Sequence, residues 1–288
     1  MPWKNPVYWR SVAFVMLCLT FATDPRTQST QLAKVVPYVP HTGSVESSAF
    51  LPGNTRLLSG GGDGNVKLWD IPSNRLVHTF SGQRTGFDVT ALATSPDGAY
   101  FAAGYGEGGI EFWHIAERKL MWRKMKAHRD MIRSLSFSAD GLLLASGSND
   151  QMAKVWRTNT GQLLRELKGH KEYVTLAFSS EGSKLASGGG EKIIRLWDAR
   201  IGKPLTTFNL PASRVETVGF IQKDTQVFAA GDGVARVWDL GSGRIILDQP
   251  LPSKTVYALS PKGTKFATSQ EQTSIEVLVC RPASYSIL

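Results

Sequence analysis

Histidine, serine and carboxylate side chains are the usual parts of a nucleophile and its general base, and this chain carries them in sets. His41, Ser59 and Asp63 precede Trp69; His128, Ser146 and Asp150 precede Trp156; His170, Ser187 and Glu191 precede Trp197. In each set the acid lies 6 residues before the tryptophan and the serine 10, with the histidine 28, 28 and 27 before it. A reaction centre is written once in a chain, whereas this set recurs in one register. The spacing therefore assigns these residues to a repeated building unit. Gly60-Gly61-Gly62-Asp63-Gly64 and Gly104-Tyr105-Gly106-Glu107-Gly108 look like phosphate cradles. They lead into β-type runs, so the helix N-terminus that binds phosphate is missing, and they read as hairpin turns. No grouping has metal-ligand spacing. No catalytic residue, cofactor or metal is expected.

The unit is clearest at 126–157, KAHRDMIRSLSFSADGLLLASGSNDQMAKVWR. Three β-type runs, Met131–Phe137, Leu142–Ser146 and Met152–Trp156, are separated by Ser138-Ala139-Asp140-Gly141 and Gly147-Ser148-Asn149-Asp150. Gly, Asn and Asp tolerate the positive φ of tight hairpins, so the stretch predicts an antiparallel meander. A meander alone is marginal in water and needs partners for its faces. Its copies supply them. Trp69, Trp113, Trp156, Trp197 and Trp238 lie 44, 43, 41 and 41 residues apart, and Leu278 takes the slot 40 further on. The acid of the second turn recurs as Glu107 and Asp232 in copies two and five, with Gln272 in the sixth. A period of this length marks a propeller or solenoid.

Gly169-His170 opening one copy, with Trp69-Asp70, Trp197-Asp198 and Trp238-Asp239 closing others, resembles the WD-repeat (Trp-Asp repeat) β-propeller family over about residues 41–280. The resemblance implies an all-β propeller of four-stranded antiparallel blades. It also implies that the His, Ser, acid and Trp of a copy form a buried hydrogen-bond relay: His41, Ser59, Asp63 and Trp69; His128, Ser146, Asp150 and Trp156; and His170, Ser187, Glu191 and Trp197. Copy two has Ala103 at the serine position and ends Trp113-His114, while copies five and six lack the His and a clear Ser. Blades two, five and six are thus expected to rest more on apolar packing, since a half-made buried polar network is worse than none. Repeats at about 41–80, 81–125, 126–167, 168–208, 209–249 and 250–288 give a six-bladed reading of 35–288. Seven blades, the family's commonest number, find no stretch for the extra unit. In the family the N-terminal strand usually closes the ring, which assigns closure to Val35–Val39, with Tyr285–Leu288 as the alternative.

The chain has 288 residues, 42% of them hydrophobic, with 28 Gly and 14 Pro, as suits a large core with many turns. Residues 1–22 carry Lys4 and Arg10, then a 12-residue apolar run at 11–22, too short to span a bilayer, which takes about 20 residues. They read as a signal peptide cut after Ala22, giving an exported, periplasmic or secreted, protein. An uncleaved membrane anchor is the second choice. Residues 23–34 read as a polar linker. The two cysteines, Cys18 and Cys280, form no framework.

The formal charge is +9, which invites an acidic protein, an anionic surface or nucleic acid. The run Arg118-Lys119-Leu120-Met121-Trp122-Arg123-Lys124-Met125-Lys126 concentrates it, with Trp122 and Arg123 as binding candidates. The same lysines also guard an edge strand against pairing. Counting back from the end of each first strand gives a rim of Glu46, Thr90, Arg133, Val174, Glu216 and Thr255, flanked by Tyr173 and Arg214. The expectation is a non-enzymatic scaffold for protein partners, monomeric or within a complex, with Arg133, Tyr173, Arg214 and Glu216 on its binding face. A nucleic-acid or anionic-surface binder is the alternative, and export disfavours nucleic acid.

Overall fold

A computed structural model describes residues 41–82 and 87–251, and the backbone of 257–259, 265–270 and 274–279. Among these the regular structure is all β. Sheet one takes Val45–Phe50, Arg56–Gly61, Asn65–Asp70 and Arg75–Ser81 (β1–β4), and sheet two Val89–Thr94, Tyr100–Tyr105, Ile110–His114 and Lys119–Lys124 (β5–β8). Sheet three follows with Ile132–Phe137, Leu143–Ser148, Ala153–Arg157 and Gln162–Leu167 (β9–β12), and sheet four with Val174–Phe178, Lys184–Gly189, Ile193–Asp198 and Pro204–Asn209 (β13–β16). Sheet five holds Thr217–Ile221, Gln226–Gly231, Val234–Asp239 and Ile245–Pro250 (β17–β20). Tyr257–Leu259, Lys265–Gln270 and Ser274–Val279 (β21–β23) make a three-stranded sheet. All pairing is antiparallel between chain neighbours.

The turns explain the elements. Ser95-Pro96-Asp97-Gly98, Ser138-Ala139-Asp140-Gly141 and Ser179-Ser180-Glu181-Gly182 each close with the glycine N–H on the serine carbonyl at 2.9 Å. In the first two the aspartate also takes the serine hydroxyl at 2.5 Å.

The first strands of successive sheets face one another. Ser47 Oγ donates to the Val89 carbonyl at 3.0 Å and Thr90 Oγ1 to the Ile132 carbonyl at 2.7 Å, tying sheet one to two and two to three. The core is shared in the same way: Leu58 and Leu68 of sheet one pack with Phe101 and Trp113 of sheet two, and Phe112 of sheet two with Phe137 and Leu144 of sheet three. A fully buried Leu or Phe contributes about 1.5–3 kcal/mol. Most of that gain is lost if a sheet stands alone, which is why the unit must be repeated.

Each fourth strand carries a bulge opposite the repeat tryptophan, at Trp69, Trp113, Trp156, Trp197 and Trp238. A bulge twists an edge away from foreign pairing. Edge protection is therefore built into five sheets and does not rest on the lysines of β8 alone. Residues 1–34, Val35–Val39, Thr255 and Tyr285–Leu288 lie outside the described residues, so the leader, the linker, ring closure and the last rim position go undescribed.

Candidate binding rim and the relays behind it

In sheet three Trp156 Nε1 donates to Ser146 Oγ at 2.8 Å, Ser146 Oγ meets His128 Nε2 at 2.7 Å, and His128 Nδ1 lies 3.0 Å from Asp150. The indole N–H can only donate and the carboxylate can only accept. With a neutral imidazole the serine hydroxyl therefore donates to Nε2, and Nδ1–H donates to Asp150. Sheet one repeats this with His41 to Asp63 and Ser59 at 2.8 Å each and Trp69 to Ser59 at 2.8 Å. Sheet four does so with His170 to Glu191 and Ser187 at 2.7 Å each and Trp197 to Ser187 at 2.8 Å. Glu191 serves as the aspartates do. The serines accept an indole N–H and hand their own proton inward to a histidine, so they are not poised toward solvent as nucleophiles.

Burial pushes His128 and His170 below the ordinary histidine value, with Asp150 and Glu191 opposing it only in part. Burial also pulls Asp150 upward, but His128 and the N–H groups of Arg129 and Met152 outweigh it and hold the carboxyl at about 2.

Sheet two, expected to lean more on apolar packing, also holds a buried polar network of its own. Glu111, 1% exposed, accepts from Tyr105 Oη at 2.8 Å and Trp113 Nε1 at 3.0 Å, and pairs with Arg123 Nε at 2.6 Å. Its place, two before the tryptophan, holds Lys67, Lys154, Arg195 and Arg236 in the other four sheets. That reversal of sign was the signal in the sequence. Sheet five is apolar at the histidine and serine positions of the relay, with Leu210 and Phe228 buried, and keeps the acid as Asp232.

Two of the binding candidates, both half-buried, also hold internal contacts. Arg123 is committed to Glu111, and Trp122 stacks on Phe112 at 5.2 Å and donates Nε1 to the Thr158 carbonyl at 2.6 Å. Both are internal fastenings of sheet two, the second reaching into sheet three. Val174 of the rim is fully buried, and Thr90 is spent on the Ile132 carbonyl. His78 lies edge-on to Phe80 at 4.7 Å.

Arg133, Tyr173, Arg214 and Glu216 come together. Arg133 Nε donates to Asn149 Oδ1 at 2.7 Å, and its guanidinium lies 5.1 Å from the centre of the Tyr173 ring in the next sheet. Arg214 Nη2 meets Glu216 at 2.7 Å, and its Nε lies 3.2 Å from Asp232 in sheet five. Burial works against the Arg214 charge, while Glu216, Asp232 and Tyr173 hold it in place. The Arg133–Tyr173 contact joins sheets three and four, and an electrostatic interaction links Tyr173 to Arg214 beside sheet five. On sheets one and two the rim is acidic: burial and the neighbouring Glu46 raise Asp88 above the ordinary carboxylate value. Among the described residues no group of three or more His, Cys, Asp or Glu is placed to hold a metal.

A family model described as WD domain, G-beta repeat matches residues 33–70, 74–114, 121–157, 161–198 and 202–239. Transducin beta-like protein 3 of Bos taurus is 30% identical over 125 residues, 43% of this chain and 16% of that protein. WD repeat domain-containing protein 83 homolog of Dictyostelium discoideum is 28% identical over 137 residues, 47% of this chain and 41% of its own length. Chromatin assembly factor 1 subunit FAS2 homolog of Oryza sativa subsp. japonica is 32% identical over 138 residues, 43% of this chain and 27% of its own. The chain thus spans less than half the length of each of these relatives.

Proposed function

The chain belongs to the WD-repeat family, and from that premise we propose that it is a non-enzymatic platform on which protein partners assemble. One observation carries the reading: the Arg133–Tyr173 contact and the Arg214–Glu216 ion pair, which hold an aromatic ring and two guanidiniums in place along one rim of three sheets. Arg and Tyr held in place by neighbours are the side chains that dominate interface energies, because little freedom remains to be lost on binding. The rice relative is by name a subunit of an assembly factor, which supports work within a complex.

We further propose six blades, closed by Val35–Val39. The family matches that begin at residues 74, 121, 161 and 202 each start at or beside the fourth strand of the preceding sheet. By the same pattern the match beginning at residue 33 supports reading Val35–Val39 as the strand that completes the last sheet. Export through residues 1–22 rests on the basic start and apolar run alone.

The test is capture from intact cells with wild type and an Arg133→Glu/Arg214→Glu variant, reading the mature N-terminus from the same sample. Loss of specific partners from a variant that still melts cooperatively is expected; an identical partner set sinks the rim reading. The alternative, an anionic-surface binder, draws on exposed Lys119, Lys124 and Lys126 beside Met121 and Met125. It predicts affinity that collapses between low and physiological salt, whereas an aromatic-anchored protein interface holds.

A further inference from the structure

Corresponding places in the repeat show what fits between two sheets. Between sheets two and three Trp122 fills the notch beside the turn that joins the last two strands of sheet three. It sits opposite Phe112 in the ladder, donates to the Thr158 carbonyl and packs so closely on Gly161 that a Cβ there would lie 2.8 Å from the indole. Tyr100 extends the stack on the other side of Phe112, at 5.1 Å. Between sheets one and two the same ladder position, opposite Leu68, is held by His78, whose smaller ring turns onto Phe80. Arg56 stands at the start of its strand where Tyr100 stands in sheet two. The space an indole takes in one notch is a pocket of about 320 Å³ in the other, within the range of small-ligand sites.

The floor of this pocket is apolar, with Leu51, Leu68 and Ile115 buried, and its mouth carries exposed Arg56 and Arg118. Arg118 holds φ +54° at the turn position that is Gly161, Gly202 and Gly243 in sheets three, four and five. A cation is thus kept where other turns favour glycine. The neighbouring carboxylates are engaged first by their own turns, Asp70 by the Ser73 N–H at 3.0 Å and Asp97 by the Ala99 N–H at 3.0 Å, and Asp70 also feels the charge of Arg56, its partner across the ladder. Exposed Glu117 precedes Arg118. His114 stands where Asp70, Asp198 and Asp239 stand elsewhere and takes the Glu117 N–H on Nδ1 at 3.1 Å, so no carboxylate occupies that position here.

We infer that this notch receives an aromatic side chain from an acidic segment of a protein partner, the ring lying where Trp122 lies one sheet on and a flanking carboxylate meeting Arg56 and Arg118. It lies on the edge of the sheets opposite the Arg133–Tyr173–Arg214 rim, so it stands or falls apart from that reading. The probe is a blocked Asp-Glu-Trp-Glu-Asp pentapeptide titrated against the full chain, with its Trp→Ala counterpart beside it. Saturable binding is expected, weakened at least about tenfold by the alanine in the peptide. His78→Trp fills the pocket from within and removes the same binding. Arg118→Gly restores the residue that three other turns use, so it folds, and weakens the peptide severalfold at low salt. Equal affinity of the two peptides, undiminished binding to a folded His78→Trp protein, or no saturable binding to wild type overturns the inference.

Discussion

Ser146→Ala tests the relay most directly. The hydroxyl is fully buried and serves two groups, accepting Trp156 Nε1–H at 2.8 Å and donating to His128 Nε2 at 2.7 Å. Removing it strands a buried donor and a buried acceptor, at about 1–3 kcal/mol each. The vacated space is one oxygen atom, too small for a water to take over. The contact of His128 with Asp150 survives, so the loss is confined to the inner half of the relay. About 3 kcal/mol is the central expectation, and for a domain of this size each kcal/mol lowers the melting temperature by roughly 2–4 °C. Calorimetry and tryptophan-detected urea unfolding should thus show a drop of roughly 6–12 °C and a lower midpoint at unchanged slope. The reverse exchange in sheet two, Ala103→Ser, should gain nothing, because Glu111 already holds the Trp113 indole. A fall of less than about 2 °C in Ser146→Ala would refute the reasoning, since the stranded groups would then have found other partners.

Acid should unfold the protein in two stages. His128 and His170 have folded pKa values below the unfolded one, so the unfolded chain takes up protons first and stability falls as pH drops below about 6.5. Asp150, at about 2 against an ordinary 3.8, contributes stability that is full above pH 4 and is lost as pH falls toward 2. That part amounts to about 2 kcal/mol, and Asp150→Asn should flatten it in a melting curve taken against pH. Glu111→Ala leaves Arg123 and the Trp113 and Tyr105 donors without their acceptor and should cost about 3–5 kcal/mol, while Glu111→Leu with Arg123→Leu should recover much of it. The check is a double-mutant cycle in urea. Gly161→Ala drives a methyl into the Trp122 indole at a φ of +65°, and should lower stability by about 2 kcal/mol or more and alter Trp122 fluorescence.

Much of the architecture was legible because a propeller repeat is written in one dimension. The tryptophan period, the Ser-x-Asp-Gly turns and the 28-residue reach from His128 to Trp156 are properties of the chain alone. They located strands to within about two residues, as with Leu142–Ser146 against the observed Leu143–Ser148. The full relays were legible for the same reason, since all their members come from one copy.

What one copy presents to the next could not be read that way. Trp122 and Arg123 looked exposed on a basic edge, yet one reaches the carbonyl of Thr158 in sheet three and the other turns in to Glu111. Val174 counted as rim and is buried, while Arg133 found its aromatic partner 40 residues away in Tyr173. The chain fixed the period, and with it which residues pair within a sheet, because turns and ladders are local. The fit between sheets belongs to tertiary structure, since it depends on side-chain volumes and charges that meet only when separate copies are pressed together.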